Sequence, residues 1–301
     1  MRGMIPRAVS VATLLLCLLS GRLWAQEGPA ARTFDLRVTY RWKAGDKLRV
    51  HERRDQTQRI VTRSGLQVVD EQNLRMGWEQ RYLLEVSKVD DKGRIAEATR
   101  TYEALEDLAR DEALKVEGLK VRWVRREDGS LRWEPPEGAT LDPFVREVLD
   151  EDLEDADAAD QGAEPLQLLL PKKPVVQGEV WELPLEEVGE ALGIPVADVL
   201  EKKLQGKLAG VEPPAQEGGA TMLQVGLEVR LKAKSFQGMT CTRPVEYDLT
   251  GTAHLPAEGA SPQRRLRLEG LIRGTAPADE PGAQVEFEVR LQQQEEHERV
   301  P

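Results

Sequence analysis

The three histidines of this 301-residue chain are its first candidates for metal binding or catalysis. His51-Glu52 begins like a zinc-protease motif, in which a second histidine one helical turn later completes the metal site and the glutamate acts as base. Asp55 stands at that position, and the surrounding residues alternate as in a strand. The alternation predicts that His51 and His254 face solvent, and His297 falls in a polar C-terminal segment. The histidines therefore predict no metal site.

The nucleophile candidates are also incomplete. Ser261 lies in the segment Gly-Ala-Ser-Pro-Gln, which has the first half of a nucleophile elbow and lacks the closing glycine. Cys241 lies in phase with Val245 and Tyr247, so the pattern predicts a buried, unreactive thiol. We find no serine or cysteine with a base beside it.

Carboxylates are abundant, and the densest run extends from Asp150 to Asp160. Its first acids alternate as in a calcium loop, but Asp155 and Gln161 stand where an EF-hand needs a glycine and a bidentate glutamate. We interpret the run as a solvated linker. A carboxylate pair for glycoside hydrolysis is defined by a distance in space, which a sequence does not contain. No catalytic, cofactor-binding or metal-binding residue is predicted, and a hydrolase with a carboxylate-based site is the least favoured function.

The elements that would position any site are strands. From Phe34 to Trp42, apolar and polar residues alternate as in a strand with one solvated face, and the period returns at 82–86, 223–231, 245–249 and 285–291. Turn residues at 90–93 and 128–129 predict hairpins. We predict a mainly β protein whose antiparallel sheets form one large or two similar β lobes, as a sandwich or half-barrel, with a few short helices.

Helical periodicity is weak at 102–115, clear from Asp142 to about Leu153, and present again at 185–204 with a break. Asp142 suits an N-cap, Pro143 suits the first helical position, and an apolar stripe follows them. The predicted organisation is a signal peptide at 1–25, an N-terminal β lobe at 26–140, an amphipathic helix with an acidic linker at 141–165, a C-terminal β lobe at 166–291 with short helices near 185–204, and a polar tail at 292–301.

The first 25 residues predict export. Arg2 and Arg7 precede a short apolar run, and Ala25 suits the cleavage position of a secretory signal peptide. Because the run is shorter than the roughly 20 apolar residues that span a bilayer, we predict no transmembrane helix in the mature chain. We expect the mature protein, from Gln26, in the periplasm or outside the cell.

The charge of the mature chain argues against a nucleic-acid partner. Cleavage would remove three arginines and no acid, which leaves 39 basic and 53 acidic residues and a formal net charge of −14. Phosphate binding needs clustered Lys and Arg, whereas the basic residues here are interleaved with acids. Cys241 would be the one cysteine left, so no intramolecular disulfide is expected.

Two segments, 40–48 and 170–181, share the form of a strand, a turn with glycine and an acid, and a second strand. The second segment resembles the signature of a family of uncharacterised, secreted, β-rich bacterial proteins classed as a domain of unknown function. The resemblance implies an exported β protein and transfers no activity or catalytic residue. Within these segments we predict Trp42, Gly45, Gly178 and Trp181 as structural anchors, with the two tryptophans in equivalent core positions.

Two functional hypotheses remain open. In the first, which we favour, the chain is a noncatalytic envelope protein that binds another protein or a surface polymer through a sheet face or edge. In the alternative, it is a periplasmic carrier of a lipid or other apolar ligand, and the apolar residues of 223–231 and 285–291 line a cavity covered by the helix that begins near Asp142. Periodicity does not distinguish a filled interior from a hollow one.

Overall fold

The structure is a computed structural model that describes residues 32–37, 40–160, 165–214, 220–236, 238–257, 261–278, 280 and 282–300. The expected signal peptide, residues 1–25, and the expected mature terminus at Gln26 lie outside this range. None of the helices in the described part of the chain is long and apolar enough to cross a membrane.

Antiparallel strands dominate the described residues, as the sequence predicts. They are β1 (Thr33–Phe34), β2 (Lys47–Ser64), β3 (Gln67–Val89), β4 (Ile95–Asp107), β5 (Glu112–Ala113), β6 (Lys120–Arg125), β7 (Leu131–Glu134), β8 (Val175–Val176), β9 (Val180–Glu182), β10 (Val199–Glu212), β11 (Met222–Phe236), β12 (Met239–Pro256), β13 (Arg264–Pro277) and β14 (Ala283–Arg299). Three α-helices, α1 (Pro143–Asp160), α2 (Pro165–Leu169) and α3 (Leu185–Ala191), and a 3-10 turn (Val196–Asp198) complete them. The predicted hairpins, β3–β4 and β6–β7, are confirmed.

The large strands form one 12-stranded sheet with the order β7-β6-β4-β3-β2-β14-β13-β12-β11-β10-β9, in which β5 also pairs with β4. Most neighbours in this order are consecutive in sequence and joined by short turns. The pairing with the largest sequence separation is that of β14 with β2, which runs from Ala283↔Ser64 to Arg299↔Leu48. This contact joins the two halves of the chain within a single sheet.

The apolar residues of the sheet form two separate clusters. The N-terminal cluster contains inward residues of β2, β3, β4, β6 and β7 and the stripe of α1, including Val145, Val148 and Leu149. The C-terminal cluster contains inward residues of β10 to β14 together with residues of α2 and α3. One continuous sheet therefore carries two cores, a combination of the one-lobe and two-lobe alternatives.

The first predicted strand is mostly absent from the described residues of 34–42. Among residues 32–37 and 40–42, Thr33 and Phe34 alone form a strand, and they pair with β8 rather than with the N-terminal half of the sheet. Phe34 and Leu36 are buried in the C-terminal cluster, whereas Trp42 packs against the N-terminal one. The boundary at 26–140 is therefore wrong at its start. The alternation marked which side chains face inward, but it carried no information on a backbone partner.

The predicted polar tail is also wrong. Residues up to Arg299 belong to β14 and pair with β2 and β13. The sequence predicts a tail here because Gln292 to Arg299 contains no apolar residue, and strand periodicity is detected only through apolar residues.

The helical predictions are corrected in three places. Residues 102–107 continue β4, and residues 199–204 begin β10. The acidic run of 150–160 is helical, because α1 extends to Asp160 rather than ending near Leu153. The start of α1 agrees with expectation, since the Phe144 N–H donates to Asp142 Oδ1 at 2.8 Å.

Trp181 lies against the backbone of the neighbouring strand. It pairs directly with Gly206 of β10, and its indole Nε1–H donates to the Leu169 carbonyl at 3.0 Å. A Cβ atom added at Gly206 would lie 2.2 Å from Cε2 of the indole ring. The glycine therefore makes room for the ring.

We expect Gly206→Ala to destabilise the protein by about 1–3 kcal/mol, because the indole must leave its position and break its hydrogen bond. Urea unfolding followed by circular dichroism measures this change. Gly226→Ala is the matched control in a neighbouring strand, where an added Cβ meets no atom within 4 Å. Equal stability of the two variants would contradict the packing explanation.

Candidate functional site: a polar network between two apolar clusters

Polar side chains connect the two halves of the sheet where β2 meets β14. We define the polar network as Arg264, Glu295, His297, Glu52, Gln80, Asp152 and Arg100. The direct pairing of Glu52 with Glu295 places both on one face of the sheet, the face that also carries the two apolar clusters. The network thus fills the space between the clusters with charged groups.

Arg100 is the most deeply buried charge of the described residues. It lies on β4 with 2% of its side chain exposed, and its Nη1 donates to Asp152 Oδ2 at 2.5 Å. Its guanidinium carbon lies 3.9 Å from the ring centre of Tyr82 and 4.5 Å from that of Trp123. Since a guanidinium keeps its proton, this burial requires both the carboxylate and the ring faces.

Asp152 brings α1 into the network. Its carboxylate accepts hydrogen bonds from Arg100 and from Gln80 Nε2, the latter at 3.0 Å. Gln80 also donates to Glu52 Oε2 at 2.7 Å, so one buried amide joins the helix to β2. Burial raises the pKa of Asp152 to about 6, with the charge of Arg100 acting against this rise. At neutral pH the carboxylate is ionised.

The other end of the network places one histidine between two glutamates. His297 Nε2 lies 2.9 Å from Glu295 Oε1 and 3.6 Å from Glu52 Oε1. Both are close ionic contacts, but neither lies along an N–H direction of the ring, so Nε2 has no aligned hydrogen-bond partner among the described residues. Arg264 Nε donates to the same Glu295 oxygen at 2.5 Å.

The pKa values of this group follow from opposed effects. Burial lowers the pKa of His297, but the charge of Glu295 and the contacts with Glu295 and Glu52 together outweigh burial and raise this pKa overall. Burial raises the pKa of Glu295, but the charges of Arg264 and His297 and their close contacts with it have the larger combined effect. The pKa of Glu295 is therefore below its ordinary value. The pKa of Glu52 is likewise lowered, because its contact with His297 and the charges of His297 and Arg100 together outweigh burial and the charge of Glu295. The two carboxylates are ionised at neutral pH, and the raised pKa of the histidine extends its protonated form to higher pH.

The sequence pattern does not predict this site, for two reasons. It places His297 in a tail and Asp152 in a solvated linker. Two signals of the site are nevertheless present in the sequence. Arg100 occupies an inward position of its strand between Ala98 and Tyr102, and Asp152 continues the apolar stripe of α1 one turn after Val148.

The four predicted structural anchors lie outside the network. Gly45 and Gly178 occupy turns with φ of +92° and +88°, a conformation that glycine adopts without strain. Trp42 and Trp181 are half-buried, and each packs against a different apolar cluster.

The remaining chemical candidates are dispersed. His51 lies 3.0 Å from Glu79, and His254 lies 3.4 Å from Glu212, each with one carboxylate. Cys241 is half-buried rather than buried, and burial raises the pKa of its thiol. Ser261 is buried, and its hydroxyl accepts a hydrogen bond from the Gln263 backbone at 3.2 Å.

The opposite face of the sheet carries two open hollows, of about 530 and 500 Å³. Charged groups of both signs line the first, among them Arg59, Lys232, Arg273 and Glu288. These linings suit polar ligands rather than a lipid tail. The inward apolar residues of 223–231 pack within the C-terminal cluster, and the carrier hypothesis stays a prediction.

Part of β3 has one edge without a strand partner among the described residues, in addition to the outer strands β7 and β9. Residues Gln67–Met76 of β3, which we call the β3 edge, pair with β2 on one side, but the pairing of β3 with β4 begins only at Trp78. All ten residues are exposed. Together with Leu66 at the turn, which is 99% exposed, the edge presents Val68, Val69, Leu74 and Met76, each between 46% and 61% exposed.

Arg100→Met should destabilise the protein by about 3–5 kcal/mol, because it leaves Asp152 buried without its counter-charge. The double variant with Asp152→Leu should recover much of this loss, since no unpaired charge then remains. Urea unfolding tests both. Arg265→Met is the control, because Arg265 pairs with Glu296 at the surface, where a salt bridge contributes about 0–1 kcal/mol. Equal effects of Arg100→Met and Arg265→Met would contradict the assignment.

The stability of the protein should depend on the protonation of His297. Its folded-state pKa is raised above the ordinary 6.5, so its contribution is complete below that pH and is lost as the pH rises through the folded-state pKa. We expect the free energy of unfolding, measured in EDTA-containing buffer, to fall above pH 6.5. The fall should be smaller in His297→Gln. Identical pH profiles of the two proteins would show that His297 makes no such contribution.

Comparison with known proteins assigns no family to the chain. No family model and no curated protein matches it. Among solved structures, the chain is similar to a lipovitellin described under lipid–protein interactions, with 12% identity and a TM-score of 0.32. The match covers 86% of this chain and 26% of the lipovitellin chain, so the chain spans about a quarter of that protein.

Proposed function

We propose that the chain is a noncatalytic binding protein that holds an extended segment of another protein along the β3 edge. The observation that carries this proposal is the exposed, one-sided pairing of Gln67–Met76. An unpaired strand edge presents a row of N–H and C=O groups that a partner strand can complete, and alternate side chains then give specificity.

The β3 edge has little of the usual protection against such pairing. Natural edges are commonly short or carry lysine, proline or a bulge. This edge has ten residues with neither lysine nor proline, and its one register shift, a bulge at Val69, lies near the hairpin end. Arg75 is held by Asp55 through contacts of 2.7 and 3.0 Å. From Asp70 to Met76 the edge therefore stays regular, partly apolar and open.

Charge favours another protein over a second copy of this chain. The whole chain has a formal net charge of −11, and the edge itself carries Asp70 and Glu71. Two copies paired through this edge would bring like charges together, which costs free energy. A partner segment with alternating apolar residues and some basic ones would avoid this cost.

We also propose that the protein is exported and that it does not catalyse a reaction. Export rests on the predicted signal peptide, so the partner would be met in the cell envelope or outside the cell. A noncatalytic role agrees with the dispersed serine, cysteine and histidine candidates, and with carboxylates of the network that are held by Arg100, Gln80 and Arg264.

A labelled synthetic peptide that copies residues 55–64 tests the edge, because that sequence already pairs with the β3 edge from the other side. We expect saturable binding in fluorescence anisotropy and slower hydrogen exchange of amides in 67–76. Val69→Lys with Leu74→Lys should weaken binding by about tenfold or more.

Leu200→Lys is the matched control, since Leu200 is 48% exposed and lies on β10, away from the β3 edge. Analytical ultracentrifugation of the protein alone tests the competing possibility, self-association through the β3 edge. A dimer that the Val69→Lys and Leu74→Lys substitutions abolish would replace the hetero-partner proposal with self-association. If the peptide binds but hydrogen exchange of the amides in 67–76 is not slowed, the peptide binds elsewhere and the proposed role of the β3 edge is wrong.

A further inference from the structure

Glu52, Glu295 and His297 place three metal-ligating groups around one point. One donor atom from each residue lies within 4.8 Å of the other two. His297 Nε2 is 2.9 Å from Glu295 Oε1 and 3.6 Å from Glu52 Oε1. These separations lie on either side of the about 3.3 Å that separates ligand atoms around a tetrahedral zinc with bonds near 2.05 Å.

The charges of the polar network call for one more cation. Three carboxylates, those of Glu52, Asp152 and Glu295, face two permanent cations, Arg100 and Arg264. Sheet register also places Glu52 directly opposite Glu295, and like charges in that position destabilise a sheet. Either a proton on His297 or a bound metal ion supplies the missing positive charge.

We propose that Glu52, Glu295 and His297 bind a divalent transition-metal ion such as Zn²⁺. One imidazole and two carboxylates form a donor set that suits Zn²⁺ and related ions better than Ca²⁺, which prefers six to eight oxygen ligands. Three protein ligands leave one tetrahedral position open for water or for a group of a binding partner.

Neighbouring groups contact two of the three ligands, Glu52 and Glu295. Gln80 donates to the Glu52 oxygen that does not face His297, and Tyr82 OH lies 3.5 Å from the one that does. Such outer contacts commonly orient metal ligands. Arg264 contacts the same Glu295 oxygen as His297, so metal binding requires Arg264 to move to the second oxygen of that carboxylate.

The test is Zn²⁺ titration of EDTA-treated, dialysed full-length protein by isothermal calorimetry at pH 7.5. We expect one Zn²⁺ per chain and a higher melting temperature with the ion. Co²⁺ in place of Zn²⁺ should give the visible absorption of a tetrahedral site. Glu295→Gln and His297→Gln should each weaken binding by at least about tenfold.

His51→Gln and His254→Gln are matched controls, because each removes a histidine that has a single carboxylate neighbour, and both should bind Zn²⁺ like the original protein. Circular dichroism confirms that each variant is folded. Absence of binding by the folded original protein would overturn the proposal. Unchanged affinity in His297→Gln, or loss of binding in either control, would place the ion elsewhere and equally overturn it.

Discussion

The buried guanidinium of Arg100 constrains the N-terminal half of this protein. It keeps its charge with 2% of the side chain exposed, so the structure must bring a carboxylate to it. That carboxylate is Asp152, which belongs to α1, and α1 is also the element that covers the N-terminal apolar cluster. The position of the helix, the packing of the cluster and the neutralisation of Arg100 therefore depend on the same contact. If the helix shifted along the sheet, Arg100 would remain buried without its carboxylate partner.

The β2–β14 pairing explains why the network is polar. Each apolar cluster is covered by its own helices, α1 on one side and α2 with α3 on the other. At the join between them the inward positions carry Glu52, Glu295 and His297, which contact one another and side chains from β3 and β13. Two separately covered cores can share one sheet because the strands between them present groups that need no apolar cover.

Strand alternation predicted the elements whose inward residues are apolar, such as 223–231 and 285–291, and the antiparallel class followed from them. It failed where the inward residues are polar. The last part of β14 contains no apolar residue, so its strand was invisible and His297 was placed in a tail. The pairing of β14 with β2 joins residues more than 200 positions apart, and no local pattern contains that information. The sequence does contain a signal for Asp152 and Arg100, because each of these charged residues interrupts a row of inward positions that is otherwise apolar.

The open β3 edge follows from the same join. Pairing with β14 keeps β2 extended over its whole length, and the β2–β3 hairpin carries β3 along with it. On the other side β4 ends at Asp107, where the Leu108 N–H donates to the Gly77 carbonyl at 3.0 Å and the chain turns away. The first ten residues of β3 thus extend past their neighbour. Because an exposed edge with apolar side chains is an aggregation hazard, its length is easier to explain by a partner strand that covers it than by the needs of either core.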